Sequence, residues 1–256
     1  MAAPTSVTPS ELMVTIAARE LMDGEVVLVG VGIPNLAANL AKRLHAPNLV
    51  LIYESGTIGS NPRRMPLSIG DPSLVTGAKS VCSMFEQFAY YIQGGRIDVG
   101  FLGGAQIDKF GNINSTVIGP YKSPKVRLPG SGGACETALN VKKVIVVTPH
   151  EKRRFVEKVD FVTTPGFLDG KDRWRALRAQ GGGPYAVITD LATLKFDEVT
   201  GEMTLTALNP GVTVEKVQEN TPWRLKVAEE VVANPPPTEE ELKVLRSLDP
   251  ERICLG

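Results

Sequence analysis

Residues 25–56 read EVVLVGVGIPNLAANLAKRLHAPNLVLIYESG, and three pieces of that stretch decide the fold class. Residues 25–31 form a continuous, valine-rich apolar run, the pattern of a strand covered on both faces. Pro34 then opens a helix through about residue 44, with Leu36, Leu40 and Leu44 spaced for one buried face. Residues 49–53 (LVLIY) are a second apolar strand, which runs straight into Glu54-Ser55-Gly56. Two strands apolar throughout, joined by an amphipathic helix, predict a parallel pair linked by a crossover.

The same alternation continues on both sides. Upstream, Thr8-Pro9-Ser10-Glu11 supplies an N-cap, a proline at the first helical position and a capping-box glutamate. Leu12, Ile16 and Ala17 follow at helical spacing until Asp23-Gly24. Downstream, a Gly/Pro/Ser-rich stretch reaches about residue 73. Residues 83–94 then read as helix and 98–102 (DVGFL) as strand. GGAQIDKFGNIN (103–114) reads as a loop, while 142–148 and 185–189 are further apolar strands. The expected fold is α/β, a mostly parallel sheet with helices on both faces. Residues 194–206 predict a hairpin about Thr200-Gly201. Prolines 235–237 make a short break, and Thr238 to Glu241 cap a last helix that Asp249-Pro250 ends. The chain 1–256 reads as one domain with a hairpin and helix appended from about residue 194.

Composition narrows the function. Of 256 residues, 43% are hydrophobic, and Lys+Arg equals Asp+Glu at 28 each. No global field recruits nucleic acid or an anionic membrane, so any anionic ligand requires a local site. Cys82, Cys135 and Cys254 are scattered, and with only His45 and His150 no metal-ligand spacing occurs. The start, MAAPTSVTPSEL, has neither a basic nor an apolar leader segment. No apolar run approaches the ~18–20 residues needed to span a bilayer. The expectation is a soluble, cytoplasmic protein with no metal.

In open parallel sheets ligands bind beyond the carboxyl ends of the strands. Three glycine-rich segments fall there: 30–35, 54–59 and 103–114, with Gly130 to Ala134 soon after. The first imitates a dinucleotide-binding turn, Gly30-x-Gly32 followed by an acid at the end of the next strand. Asn35 replaces its third glycine, however, and Pro34 removes an N–H from the phosphate-facing turn. A tight strand-to-helix turn is the simpler reading. Glu54 is a carboxylate at the rim of a buried sheet, where desolvation perturbs its pKa. Its position alone fits either a reactive group or a strand end paired with Arg63 or Arg64. His150 and the run Lys152, Arg153, Arg154 read as a solvated face or a subunit contact. Cys82 and Cys135 read as small packed side chains.

The motifs in order are more specific. Glu54-Ser55-Gly56, GGAQIDKFGNINST (103–116), RLPGSGGA (127–134) and HEKRRF (150–155) together resemble the class I CoA-transferases. The likeness is to the B subunit of the glutaconate CoA-transferase type, and it runs nearly the full chain. It implies a ribose-5-phosphate isomerase-like α/β fold and identifies Glu54 as the nucleophile. It also implies a glycine-rich oxyanion element at Gly132 and Gly133, lining by Asn114 and Gln106, and CoA contacts at Gly103, Gly104 and Ser131. Coenzyme A is then a substrate, exchanged between an acyl-CoA and a small carboxylic acid, with no permanently bound cofactor. The implied partner is a homologous A subunit, in an α2β2 or larger assembly. A short dicarboxylate such as glutaconate is the expected acid, with a 3-oxoacid next. The competing readings are an acyl-CoA hydrolase or decarboxylase on the same scaffold, a non-catalytic metabolite sensor, and a nicotinamide-dependent dehydrogenase.

Overall fold

The computed structural model describes residues 6–62 and 64–255. The chain forms two compact units, Met1–Tyr90 with Pro235–Gly256, and Tyr91–Asn234.

In the first unit the capping box forms as written: Thr8 Oγ1 accepts from the Glu11 N–H at 3.2 Å, and Glu11 Oε2 accepts from the Thr8 N–H at 2.9 Å. The helix covers Pro9–Arg19 and stops short of Asp23-Gly24. Strand Val26–Leu28 pairs in parallel with Val50–Ile52, in register from Val26↔Val50 to Leu28↔Ile52. The helix between them, Ile33–Leu44, buries Leu36, Ala37, Leu40 and Ala41. Thr57–Ile58 and Ser80–Val81 extend the sheet antiparallel.

The final helix, Glu239–Leu248, packs on the first two helices of this unit. Charge locks it there. Arg19 makes two bonds to the Glu241 carboxylate, at 2.8 and 2.7 Å, and Arg246 reaches Glu11 at 2.8 Å. Glu11 is completely buried, so this capping glutamate also serves as a buried ion-pair partner. The burial cost on its carboxylate is more than offset by Arg246 and the Thr8 N–H, which leave its pKa lowered.

In the second unit, Val99–Leu102, Lys143–Val147 and Pro184–Ile188 are parallel neighbours. Ala192–Phe196 and Met203–Leu208 follow antiparallel, with Phe196↔Met203 closing the expected hairpin. The hairpin continues this unit's sheet. A further strand, Lys226–Ala233, lies parallel to Met203–Leu208. The sequence reading missed that strand because its side chains are mostly exposed and Glu229-Glu230 interrupts any apolar run. Within 103–114, read as a loop, Gln106–Ile107 and Ile113–Asn114 form a small antiparallel ribbon. Asp108 holds its turn by accepting from the N–H groups of Phe110 and Asn112.

His150 departs from its surface reading: it is 3% exposed and stacks on Phe155 with ring centroids 3.9 Å apart. Its ring nitrogens meet Thr189 Oγ1 at 3.2 Å and Thr221 Oγ1 at 3.0 Å. Burial pushes its pKa down to about 4. A run of charged neighbours hid a core residue. Lys152 and Arg153 are exposed as expected, but Arg154 turns in and donates to the Gly104 carbonyl at 3.3 Å. Among the described residues no helix is long and apolar enough to cross a membrane.

Candidate active site

Glu54 sits at the tip of a tight turn at the carboxyl end of strand Val50–Ile52. The Tyr53 N–H donates to the Thr57 carbonyl at 3.1 Å, and the Gly56 N–H returns to the Tyr53 carbonyl at 2.9 Å. Gly56 is required here on two counts. Its φ is +100°, and a Cβ at this position would lie 1.9 Å from the Cys82 carbonyl oxygen. The turn is clasped from the same side, since the Cys82 N–H and Sγ both donate to the Gly56 carbonyl, at 2.9 and 3.4 Å. Behind it Tyr53 is fully buried, and its hydroxyl donates to Asn35 Oδ1 at 2.9 Å. Asn39 Nδ2 donates to the same oxygen at 2.6 Å. Asn35, which spoils the dinucleotide fingerprint, thus ties the helix to the residue preceding Glu54.

The Glu54 carboxylate is half-buried, and among the described residues no cation or donor meets it. Burial alone pushes its pKa up from the ordinary carboxylate value. Arg64, one of the two arginines considered as its partner, instead holds Asp71 with two bonds of 2.9 Å. Arg63 lies outside the described residues. An uncompensated, half-desolvated carboxylate is a stronger nucleophile than one held by an arginine, and the open tip of the turn leaves it accessible.

The other expected site residues belong to the second unit. Asn114 donates through Nδ2 to Gln106 Oε1 at 2.7 Å and to the Val117 carbonyl, while its Oδ1 accepts from the Thr116 and Val117 N–H groups. Both amide protons are consumed, so Asn114 braces the ribbon and has no donor left for an oxyanion. Gln106 exchanges bonds with Asp160: Nε2 donates to Oδ2, and Oε1 accepts from the backbone N–H, each at 3.0 Å. One Gln106 amide proton remains.

Gly130 and Gly132 have φ of +98° and +49° and turn the chain into helix Ala134–Asn140. Ser131 caps that helix locally, its Oγ accepting from the Cys135 N–H at 3.2 Å. Among the described residues the backbone N–H groups of Gly132 and Gly133 have no acceptor.

Gly103 and Gly104 separate on steric grounds. A Cβ at Gly104 would lie 2.3 Å from Ile113 Cγ2 and 2.9 Å from the Asn114 carbonyl oxygen, so this glycine admits the ribbon. A Cβ at Gly103 would meet nothing within 4 Å, and its backbone is unstrained. Packing explains Gly104 and does not explain Gly103. Gly104→Ala is therefore expected to lower Tm by several degrees, whereas Gly103→Ala leaves Tm within a degree and changes only acyl-CoA affinity. Thermal unfolding beside a CoA-thioester titration reads both. A fall in Tm for Gly103→Ala would assign that residue to packing as well.

With this geometry in place, the comparisons with known proteins are specific. A family model described as coenzyme A transferase matches residues 11–220. The B subunit of 3-oxoadipate CoA-transferase from Pseudomonas knackmussii is 50% identical over 94% of this chain and 92% of its own. The B subunit of glutaconate CoA-transferase from Acidaminococcus fermentans is 39% identical over 98% of this chain and 96% of its own. The crystal structure of glutaconate coenzyme A-transferase from A. fermentans superposes with a TM-score of 0.92 at 36% identity, covering 99% of each chain. The chain belongs to the coenzyme A transferase family. Within it, the chain is a class I enzyme subunit of the B, or beta, type, on an α/β fold whose mixed sheet is mostly parallel and flanked by helices.

Sequence reasoning missed Asn35 as a brace and did not single out Gln87, whose side chain is fully buried beside the Cys82 clasp. The signal for Asn35 was its polarity at a helix position followed by Leu36 and Ala37. Nothing in the local sequence marks Gln87.

Proposed function

We propose that this chain is the catalytic subunit of a heteromeric CoA-transferase that works through a glutamyl-CoA thioester on Glu54. The Glu54 carboxylate attacks the thioester carbonyl of an acyl-CoA and expels CoA thiolate, leaving a mixed anhydride. The thiolate then attacks the glutamyl carbonyl and releases the donor acid as its carboxylate, so that CoA is held as a thioester on Glu54. The acceptor carboxylate attacks that thioester, and the two steps run in reverse to give the new acyl-CoA and free Glu54. One thioester replaces another, so the cycle consumes no ATP.

The observation that carries this reading is Glu54 itself, half-buried at a strand's carboxyl end with no cation against it among the described residues. Each tetrahedral intermediate develops an oxyanion, and the N–H groups of Gly132 and Gly133 are the donors we assign to it, together with the spare Gln106 proton. Gly103 and Ser131 are assigned to the CoA chain. The partner is a homologous A subunit in an α2β2 or larger assembly. The acid is a short dicarboxylate of the 3-oxoadipate or glutaconate kind, a choice supported by the likeness to the B subunits of those two transferases.

The test is trapping in the assembled complex. Incubation with succinyl-CoA or acetyl-CoA, borohydride reduction, digestion and peptide mass spectrometry are expected to return the Glu54 peptide with its side chain reduced to the alcohol. An unmodified Glu54 in a complex that still consumes acyl-CoA would overturn the mechanism. CoA release that needs no acceptor acid would assign the chain to hydrolysis.

A further inference from the structure

Among the described residues, seven buried side-chain polar atoms have no hydrogen-bond partner, and three of them belong to the Glu54 turn and its clasp. They are Ser55 Oγ, Thr57 Oγ1 and Gln87 Nε2. Gln87 is the most constrained. Its side chain is 0% exposed, its Oε1 faces Cys82 Sγ at 3.7 Å, and Cys82 in turn clasps the Gly56 carbonyl. The carboxamide oxygen thus lies beside the clasp that shapes the nucleophile's turn, and the donor end has no partner among the described residues.

The backbone around it is also unusual. Residues 83–94, read as one ordinary helix, open with a capping box at Ser83 and wind as an α-helix only over Met84–Glu86. From Gln87 to Ile92 the winding is π-helical. Such turns are uncommon and concentrate at functional sites, because the wider winding re-aims the side chains that follow. A buried donor without an acceptor destabilises the folded chain, so a partner that arrives on binding relieves a real cost.

We infer that Gln87 is a further substrate-binding residue, its buried amide N–H held for an oxygen acceptor that arrives with the substrate. The acceptor is a carboxylate or acyl carbonyl oxygen of the acid exchanged at Glu54. Ser55 and Thr57, on the Glu54 turn itself, carry further buried hydroxyls without a partner among the described residues. This rests on Glu54 being the acyl acceptor.

Gln87→Met keeps the side chain's length and removes both amide protons. In the assembled complex, assayed with succinyl-CoA and 3-oxoadipate or glutaconate, it is expected to lower kcat/KM about 10- to 100-fold, through a raised KM for the acid. Tm is expected to stay level or rise, because an unsatisfied donor has been removed. A residue that only packs would behave oppositely, losing Tm and activity together, and that result would overturn the inference. Wild-type kinetics would also overturn it, assigning the N–H to a buried water. Should Gln87→Met fail to assemble, Gln87→Glu retains the Oε acceptor toward Cys82 and carries the same prediction for the acid's KM. Glu54→Ala run in parallel separates the two ideas. If it retains transfer, the underlying mechanism fails, whereas abolished transfer beside an unaltered Gln87→Met sinks only the role of Gln87.

Discussion

Glu54→Ala is expected to reduce acyl transfer by about 10⁴-fold or more, the scale on which enzymes lose rate when a covalent nucleophile is removed. Glu54→Gln is expected to fall as far at first and then recover slowly, as deamidation restores the carboxylate. Neither change should cost stability. The Glu54 pKa is raised by burial, so its stabilising contribution is present below the ordinary carboxylate pKa and is lost as pH rises through the folded value. Once ionised, the desolvated group is a net burden on the fold, and removing it leaves Tm level or higher. The same shift fixes the acid limb of the rate profile. Attack needs the ionised form, so kcat/KM falls with decreasing pH about a midpoint above the ordinary value of ~4.3. Transfer surviving within tenfold in purified Glu54→Ala, or a Tm drop that parallels the loss, would remove Glu54 from its role.

The second large effect concerns stability. His150 is 3% exposed, and its pKa falls from the ordinary 6.5 to about 4 through burial, with Asp190 opposing. That difference corresponds to roughly 3 kcal/mol. The sign follows from which state takes up the proton. Above about pH 6.5 His150 is neutral folded and unfolded, and its full contribution is present. As pH falls toward 4 the unfolded chain binds a proton that the folded chain refuses, so stability is lost across that window. The ring lies flat on Phe155 and is buried, so desolvation is what disfavours the cation, even with the Thr189 and Thr221 hydroxyls at its two nitrogens. Urea unfolding of wild type and His150→Gln at pH 7 and at pH 4.5 checks it. The wild type's advantage should shrink over that interval by about 2 kcal/mol. Parallel curves for the two proteins would show that His150 does not titrate between its folded and unfolded states.

The periodic segments were legible because their physics is local. Thr8 and Glu11 cap the first helix because a hydroxyl and a carboxylate three residues apart each reach the other's backbone N–H. The apolar runs at 25–31 and 49–53 become parallel neighbours because both faces of each strand need cover. Lys226–Ala233 was not legible, because a strand at a sheet's edge keeps its side chains in water and carries no apolar period.

For the site, residue order alone determined that Glu54 stands at a strand exit, and the succession of motifs pointed to CoA transfer. Tertiary structure decided everything that depends on which groups share a neighbourhood. Asn114, expected to line the site, spends both amide protons on Gln106 and Val117. A side chain at Gly104 would meet Ile113, while one at Gly103 would meet nothing among the described residues within 4 Å. His150, set among charged residues, is a core ring. Gln87 acquires its meaning only from Cys82 and Gly56, residues 5 and 31 positions away in the chain. Local propensity acts through neighbours within a few residues. Hydrogen-bond satisfaction and desolvation are properties of the assembled surroundings, and no residue carries them until the chain has closed around it.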